Sequence, residues 1–246
     1  MPRPRRVAVI SDIHGNLHAL RAALDTIADE EVDAIWCLGD LVGYGPRPNE
    51  CCSEVERATG LCLVGNHDLG VLGRIPLEDF SDDAAVAARW SQTVLAGEAR
   101  GYLEGLASLA SADGTELFHA SPRDPVWEYV LGDEAARAAF ALTSAPLVLV
   151  GHSHVALAFV LDDGSVEGTL APGGAEVDLS GRRWLLNPGS VGQPRDGDPR
   201  AAYLVLDLDA RRALFRRVPY PIERTQEEIR ELGLPEALAA RLAHGL

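Results

Sequence analysis

No stretch of this chain approaches the ~20 consecutive apolar residues of a membrane-spanning helix, so no membrane partner is expected. The N-terminal Met1–Arg6 is basic, but the apolar stretch behind it, Val7–Ile10, is too short for the core of a secretory signal. A cytoplasmic location is the expectation. The four cysteines, Cys37, Cys51, Cys52 and Cys62, contain no C-x-x-C pair. They read as buried free thiols of a reducing compartment. Positive charge is in deficit: 22 basic residues against 37 acidic ones leave a formal charge of −15. A field of that sign repels a long polyanion, which makes nucleic acid an unfavoured substrate, although bound cations reverse the sign locally. No internal repeat, low-complexity tract or long linker divides the 246 residues, so one domain over 1–246 is expected. Hydrophobic residues make up 47% of it, ample for a core.

What is present begins as alternating strands and helices. Arg5–Ser11 is a short Val- and Ile-rich run that reads as a buried strand. Asn16 suits the N-cap of a helix whose apolar face is Leu17, Leu20, Leu24 and Ile27. Ala34–Leu38 and Leu61–Val64 read as further strands, with a helix at Pro48–Arg57 between them. Right-handed crossovers would put the ends of these strands on one edge of a parallel sheet. Residues 71–113 change character: Ser81–Leu95 and Gly97–Leu109 are Ala-rich and read as a helical insertion. Glu116–Ala120 and Pro146–Val150 are strands flanking a helix at Asp133–Leu142. The last third reads as antiparallel strands, at Val155–Leu161, Ser165–Leu170, Arg183–Leu186, Ala201–Leu208 and Ala213–Val218, with turns such as Asp162-Asp163-Gly164. A C-terminal helical segment, 222–246, breaks at Gly233 and Pro235 and carries a packing stripe of Ile229, Leu232, Leu238 and Leu242.

Chemistry concentrates where the strands end. Asp12-Ile13-His14 places two metal donors one residue apart, so a turning chain aims both at one ion; alone, either residue also suits a cap or the surface. Gly39-Asp40 offers a carboxylate able to bridge two cations, although Gly-Asp is also a common turn. Gly65-Asn66-His67-Asp68 sets an imidazole beside a carboxylate, the pairing in which an acid orients a proton-transferring His. Gly151-His152-Ser153-His154 presents two imidazoles at the same one-residue spacing. His119 gains weight only from these neighbours, and His18 and His244 look like ordinary surface residues. Oxygen and imidazole donors suit Mn, Fe, Zn or Ni.

The ordered set Asp12-x-His14, Gly39-Asp40, Gly65-Asn66-His67-Asp68, His119 and Gly151-His152-x-His154 resembles the calcineurin-like metallophosphoesterase superfamily. Asn187-Pro188-Gly189-Ser190 is similar to the ending of its small prokaryotic phosphodiesterases. The resemblance implies an α/β fold, a two-sheet α/β/β/α sandwich. It implies two divalent metal ions, manganese first, with Fe, Zn or Ni as alternatives. Asp12, His14, Asp40 and His154 would hold one; Asp40, Asn66, His119 and His152 the other. A metal-bridging hydroxide would attack phosphorus, with His67 as general acid and Asp68 orienting it.

One word departs from the protein-phosphatase branch of that superfamily. Gly43 and Tyr44 stand where those enzymes carry an Asp-Arg pair whose Arg grips phosphate. Arg123 and Arg195 follow other words and could replace it, or be solvated loop residues. The missing fork favours a phosphodiesterase acting on a small molecule, possibly a nucleotide, whose organic arm would meet Trp127 and Tyr129. A dinucleoside polyphosphate hydrolase or Ser/Thr protein phosphatase is the alternative reading, and a non-catalytic binding scaffold the second alternative.

Overall fold

The computed structural model describes residues 5–246. Met1–Pro4, most of the basic N-terminal stretch, lie outside the described residues. The chain begins β1 (Arg6–Ile10), α1 (Leu17–Ala28), β2 (Ala34–Cys37), α2 (Pro48–Ala58), β3 (Leu61–Cys62) and α3 (Asn66–Val71). Next come α4 (Asp82–Val94), α5 (Gly97–Glu104), β4 (Leu109–Ala112), β5 (Thr115–Phe118), α6 (Asp133–Leu142) and β6 (Leu147–Leu149). It continues through β7 (Ala156–Asp162), β8 (Ser165–Leu170), β9 (Glu176–Asp178), β10 (Arg183–Pro188), β11 (Ala201–Asp207) and β12 (Arg212–Val218) to α7 (Ile222–Glu231) and α8 (Glu236–Ala240). No helix of the described residues is long and apolar enough to cross a membrane.

The strands form two six-stranded mixed sheets, β3-β2-β1-β11-β12-β9 and β4-β5-β6-β10-β7-β8. Period-two alternation explains the layering. In β1, Val7 and Val9 face the space between the sheets, while Ala8 and Ile10 face α1 and α2. In β6, Leu147 and Leu149 face the same inter-sheet space, and Val148 packs beneath α6 with Phe140. Both faces of the central strands are covered, so their sequences read as unbroken apolar runs. The result is the expected α/β/β/α sandwich. β1, β2 and β3 are parallel neighbours, and β1 also pairs antiparallel with β11. β10 is parallel to β6 and antiparallel to β7.

Three expectations change. The second Ala-rich helix stops at Glu104, and Leu109–Ala112 is an edge strand paired antiparallel with β5 through an Asp113-Gly114 turn. The 71–113 insertion is therefore helical only as far as Glu104; cross-strand pairing overrides the helical propensity of Leu and Ala beyond Gly105. β9 carries no strand signal in the sequence, because three residues are too few to show alternation. Leu232 is 45% exposed and leaves the packing stripe. It follows the last turn of α7, so it no longer shares the face of Ile229, which packs with Leu234, Leu238 and Leu242 against Tyr44, Ala84 and Ala87.

Candidate metal centre

The words at the strand ends are laid against one another by backbone hydrogen bonds. Asp12 N–H donates to Gly39 O at 3.0 Å, and Ile13 and His14 N–H both donate to Asp40 O, at 2.8 and 2.9 Å. Val191 and Gly192 N–H donate to Ser11 O and Asp12 O, both at 2.9 Å. Asp12, His14, Asp40, Tyr44, His152 and His154 all have left-handed backbone, with φ between 50° and 63°. Such a conformation costs a non-glycine residue about 1–2 kcal/mol. It persists where surrounding bonds over-determine it, as here.

These bends bring the sequence-selected side chains together below the surface. Asp12, His14 and His154 form one group, and Asp40, His119 and His152 another, with one donor atom of each residue within 4.8 Å of the others in its group. Asn66 joins the second: its Oδ1 lies 3.1 Å from His119 Nε2. His67 also lies within 4.8 Å of His14 and Asp40.

Hydrogen bonds to backbone carbonyls set which ring nitrogen carries the proton. Nδ1 of His14, His119 and His154 faces the carbonyls of Val42, Leu38 and Gln193 at 3.1, 2.9 and 2.6 Å, and His152 Nε2 faces that of Trp127 at 3.1 Å. A carbonyl only accepts, so each of these nitrogens carries a proton, and in the neutral ring the other is bare. Burial holds His14 and His154 well below the usual imidazole range and pushes His152 down to about 2. The bare Nε2 atoms of His14 and His154 therefore stand 3.0 Å apart with no proton between them. Asp40 Oδ2, buried and without a hydrogen-bond partner, lies 3.6 Å from His14 Nε2 and 3.5 Å from His119 Nε2. Asp12 Oδ1 lies 3.5 Å from His154 Nε2.

Ligand atoms about 2.1 Å from a first-row divalent ion sit about 3.0–3.4 Å apart at octahedral or tetrahedral corners. The spacing of these bare acceptors fits that arrangement, and the carbonyl-bound nitrogens supply the outer hydrogen bonds that orient metal-binding imidazoles. Without a cation, burial pushes Asp12 up to about 7 and Asp40 well above the usual carboxylate range.

Asp68 makes no hydrogen bond to the His67 ring. Its Oδ1 accepts from Leu41 and Val42 N–H at 2.8 and 3.1 Å, and its Oδ2 from Gly65 N–H at 3.0 Å, so it ties the second word to the third. Burial lifts its carboxyl to about 6. His67 Nδ1 is buried without a partner, and the ring is wedged among Tyr44, His14 and Phe80 at centroid distances of 4.4, 4.8 and 4.9 Å. Asn187 and Ser190 serve the frame. Asn187 Nδ2 donates to Gly151 O at 2.7 Å, and Ser190 Oγ to Asp12 O at 2.7 Å.

Aromatic side chains rim the site. Phe80 meets Trp127 edge to face at 5.1 Å, and Tyr129 stacks on His152 at 4.1 Å. Arg123 is engaged by Glu128. Arg195 instead donates to the Tyr44 hydroxyl at 3.2 Å and to Gln193 Oε1 at 2.8 Å. In the sequence Tyr44 stands out only for the Arg it replaces, and nothing local marks Phe80. The one local signal for Tyr44 is its place between Gly43 and Gly45.

Residues 6–211 match the calcineurin-like phosphoesterase superfamily domain. An uncharacterised protein of Methanocaldococcus jannaschii, MJ0912, is 39% identical over 245 residues, covering 97% of this chain and 98% of its own. The crystal structure of a metallophosphoesterase from Sphaerobacter thermophilus superposes with a TM-score of 0.90 at 42% identity, over 99% of this chain and 100% of the other. A symmetrical bis(5′-nucleosyl)-tetraphosphatase of Erwinia tasmaniensis is 44% identical over 68 residues, which are 26% of this chain and 24% of that enzyme. With a domain match over most of its length and full-length likeness to a metallophosphoesterase, this chain belongs to the calcineurin-like phosphoesterase superfamily.

Proposed function

We propose that this protein is a two-metal phosphodiesterase that hydrolyses a small-molecule phosphoester bearing an organic, nucleotide-like arm. The observation that carries this reading is the pair of bare imidazole nitrogens 3.0 Å apart beside the partnerless Asp40 Oδ2. Asp12, His14, Asp40 and His154 are assigned to one ion, and Asp40, Asn66, His119 and His152 to the other. The ions, when bound, supply Lewis acidity and a water acidified towards neutrality. Three of the seven donors are side-chain oxygens and none is a thiolate, which favours manganese, with Fe, Zn or Ni as substitutes. His67 is placed to give a proton to the leaving oxygen once the negative charge of a bound phosphoryl group offsets the burial that holds its ring below the usual imidazole range. Its packing against Tyr44, His14 and Phe80 holds the ring in one orientation before substrate arrives. Asp68 is a positioning residue that acts through the backbone of Leu41, Val42 and Gly65.

Phe80, Trp127 and Tyr129 offer ring surface to an organic arm. The partial likeness to a bis(5′-nucleosyl)-tetraphosphatase supports a nucleotide as that arm, and a dinucleoside polyphosphate hydrolase is the second reading. The complete donor set speaks for catalysis over a binding scaffold. Four free cysteines, three of them buried, suit a reducing cytoplasm.

The test is a substrate panel on protein reconstituted with Mn²⁺, Ni²⁺, Zn²⁺ or Mg²⁺. Bis-nitrophenyl phosphate should exceed nitrophenyl phosphate in kcat/KM. A more than tenfold advantage for phosphomonoesters or phosphopeptides would overturn the diesterase assignment.

A further inference from the structure

A guanidinium reaches the site from position 195, so the diester preference rests on the ring surface of Phe80, Trp127 and Tyr129 and not on the Arg absent from position 44. We propose that Arg195 is the phosphoryl clamp of this protein: it binds non-bridging oxygens of the substrate, discriminates by their negative charge, and is held in place by Tyr44. The proposal rests on the phosphoesterase reading and deepens it by naming a specificity-determining residue.

The backbone of Arg195 is anchored to a candidate ligand, since its N–H donates to His154 O at 3.1 Å. Its side chain, half-buried, donates to the Tyr44 hydroxyl and to Gln193 Oε1, and lies 5.6 Å over the Tyr44 ring. Both partners are neutral. No carboxylate among the described residues pairs with this guanidinium, whereas Arg123 is paired with Glu128, Arg217 with Asp196 and Arg47 with Glu228. A partly desolvated cation without a counter-charge is costly unless an anion arrives to meet it. In a chain of formal charge −15, leaving it unpaired is a matter of position and not of scarce carboxylates.

The position spans both halves of the centre. Tyr44 sits edge-on to His14 at 4.7 Å, and Tyr129, which stacks on His152, neighbours the same guanidinium. Tyr44 is rigid: its backbone is left-handed at φ 53°, its side chain is 8% exposed, and it packs against Ile229, Leu238 and Leu242 of the C-terminal segment. Its oxygen accepts from Arg195, which leaves the phenolic proton free to donate to a second phosphoryl oxygen. Gln193 and Tyr44 hold Nε and Nη2, which leaves Nη1 to donate beside the phenol, so that the two groups together match two oxygens of one phosphoryl group.

Metal-loaded wild type, Arg195→Gln, Arg195→Lys and Tyr44→Phe are compared, with Arg123→Gln as control. The first readout is calorimetric titration with inorganic phosphate; metal content and thermal melting are measured alongside. Arg195→Gln should weaken phosphate binding about 10- to 100-fold, as expected for lost charge-assisted bonds, with metal content unchanged. Arg195→Lys should recover part of that loss, Tyr44→Phe should weaken binding by a smaller factor, and Arg123→Gln should match wild type. The second readout is kcat/KM. Arg195→Gln should cost nitrophenyl phosphate, with its dianionic group, at least tenfold more than it costs bis-nitrophenyl phosphate. Unchanged phosphate affinity, or an equal loss on both esters, overturns the clamp. If wild type hydrolyses no ester, the phosphoesterase reading fails, and the phosphate titration still decides whether Arg195 binds the anion.

Discussion

Left-handed backbone serves two regions of this molecule for different reasons. At the hairpin tips Asp113-Gly114 and Asp163-Gly164, both residues have positive φ, the side chains are exposed, and the conformation simply lets two strands turn with their natural twist. At the candidate metal centre the residues are Asp12, His14, Asp40, Tyr44, His152 and His154, all buried. There the same φ tips alternate side chains of a turning chain into one point, and the cost is offset by hydrogen bonds from other loops. The hairpins are held by neighbours in sequence. The candidate site is held by the fold.

Four experiments break or sharpen this contrast. The largest effect is expected at Asp40. Asp40→Asn keeps the shape of the side chain, including an oxygen able to accept from His67 N–H, as Asp40 Oδ1 does at 2.8 Å. It removes the charge proposed to be shared by both ions. Turnover should vanish and both metals should load weakly; near wild-type activity would show that Asp40 does not bridge. His67→Ala comes next. It should lower the rate by about 10²–10⁴, less for a nitrophenolate leaving group, with metal content read by atomic emission almost unchanged. Because His67 lies within reach of His14 and Asp40, loss of metal in this variant would make it a ligand instead.

A matched glycine pair tests the two regions directly. Gly43 and Gly164 have similar φ, 85° and 80°. Alanine at either should cost about 1–2 kcal/mol of backbone strain. At Gly164 the added Cβ meets nothing within 4 Å, so denaturant melts should show only that cost and activity should stay full. At Gly43 it would stand 2.5 Å from His67 Nδ1 and push the ring aside. Activity should fall at least about tenfold, in line with the cost of misplacing a positioned group. Equal activity in the two variants would mean that His67 does not need its present seat.

The smallest effect concerns what stands behind the candidate site. Glu228 of α7 accepts the Arg47 guanidinium at 2.8 Å and faces His18 at 3.2 Å. These bonds, Arg47 foremost, hold its carboxyl below the usual value of 4.5. A lowered folded-state value means that the contribution is present above pH 4.5 and fades as acid passes through the folded value. The melting difference between wild type and Glu228→Gln should therefore be visible at pH 7 and shrink progressively as the pH falls below 4.5. A difference that widens in acid would contradict the assignment.

Much of this was legible in the residues alone. The first three strands, the capping of α1 by Asn16, the Asp133–Leu142 helix and the Asp163-Gly164 hairpin follow from periodicity and turn chemistry, which act within a few residues. The ordered words sufficed for the family because their residue types and spacing are themselves chemical. Other features were decided only by folding. Leu109–Ala112 became a strand through its pairing with β5, and Leu232 left the core because α7 ends beneath it. Asp68 spends its carboxylate on backbone N–H groups of Leu41 and Val42, 27 and 26 residues away. His14 faces His154 across 140 residues, and Arg195 meets Tyr44 across 151. Local patterns fix local conformation, but a charge is recognised as unpaired, or two nitrogens as bare and opposed, only once distant loops are brought within hydrogen-bond distance and water is excluded.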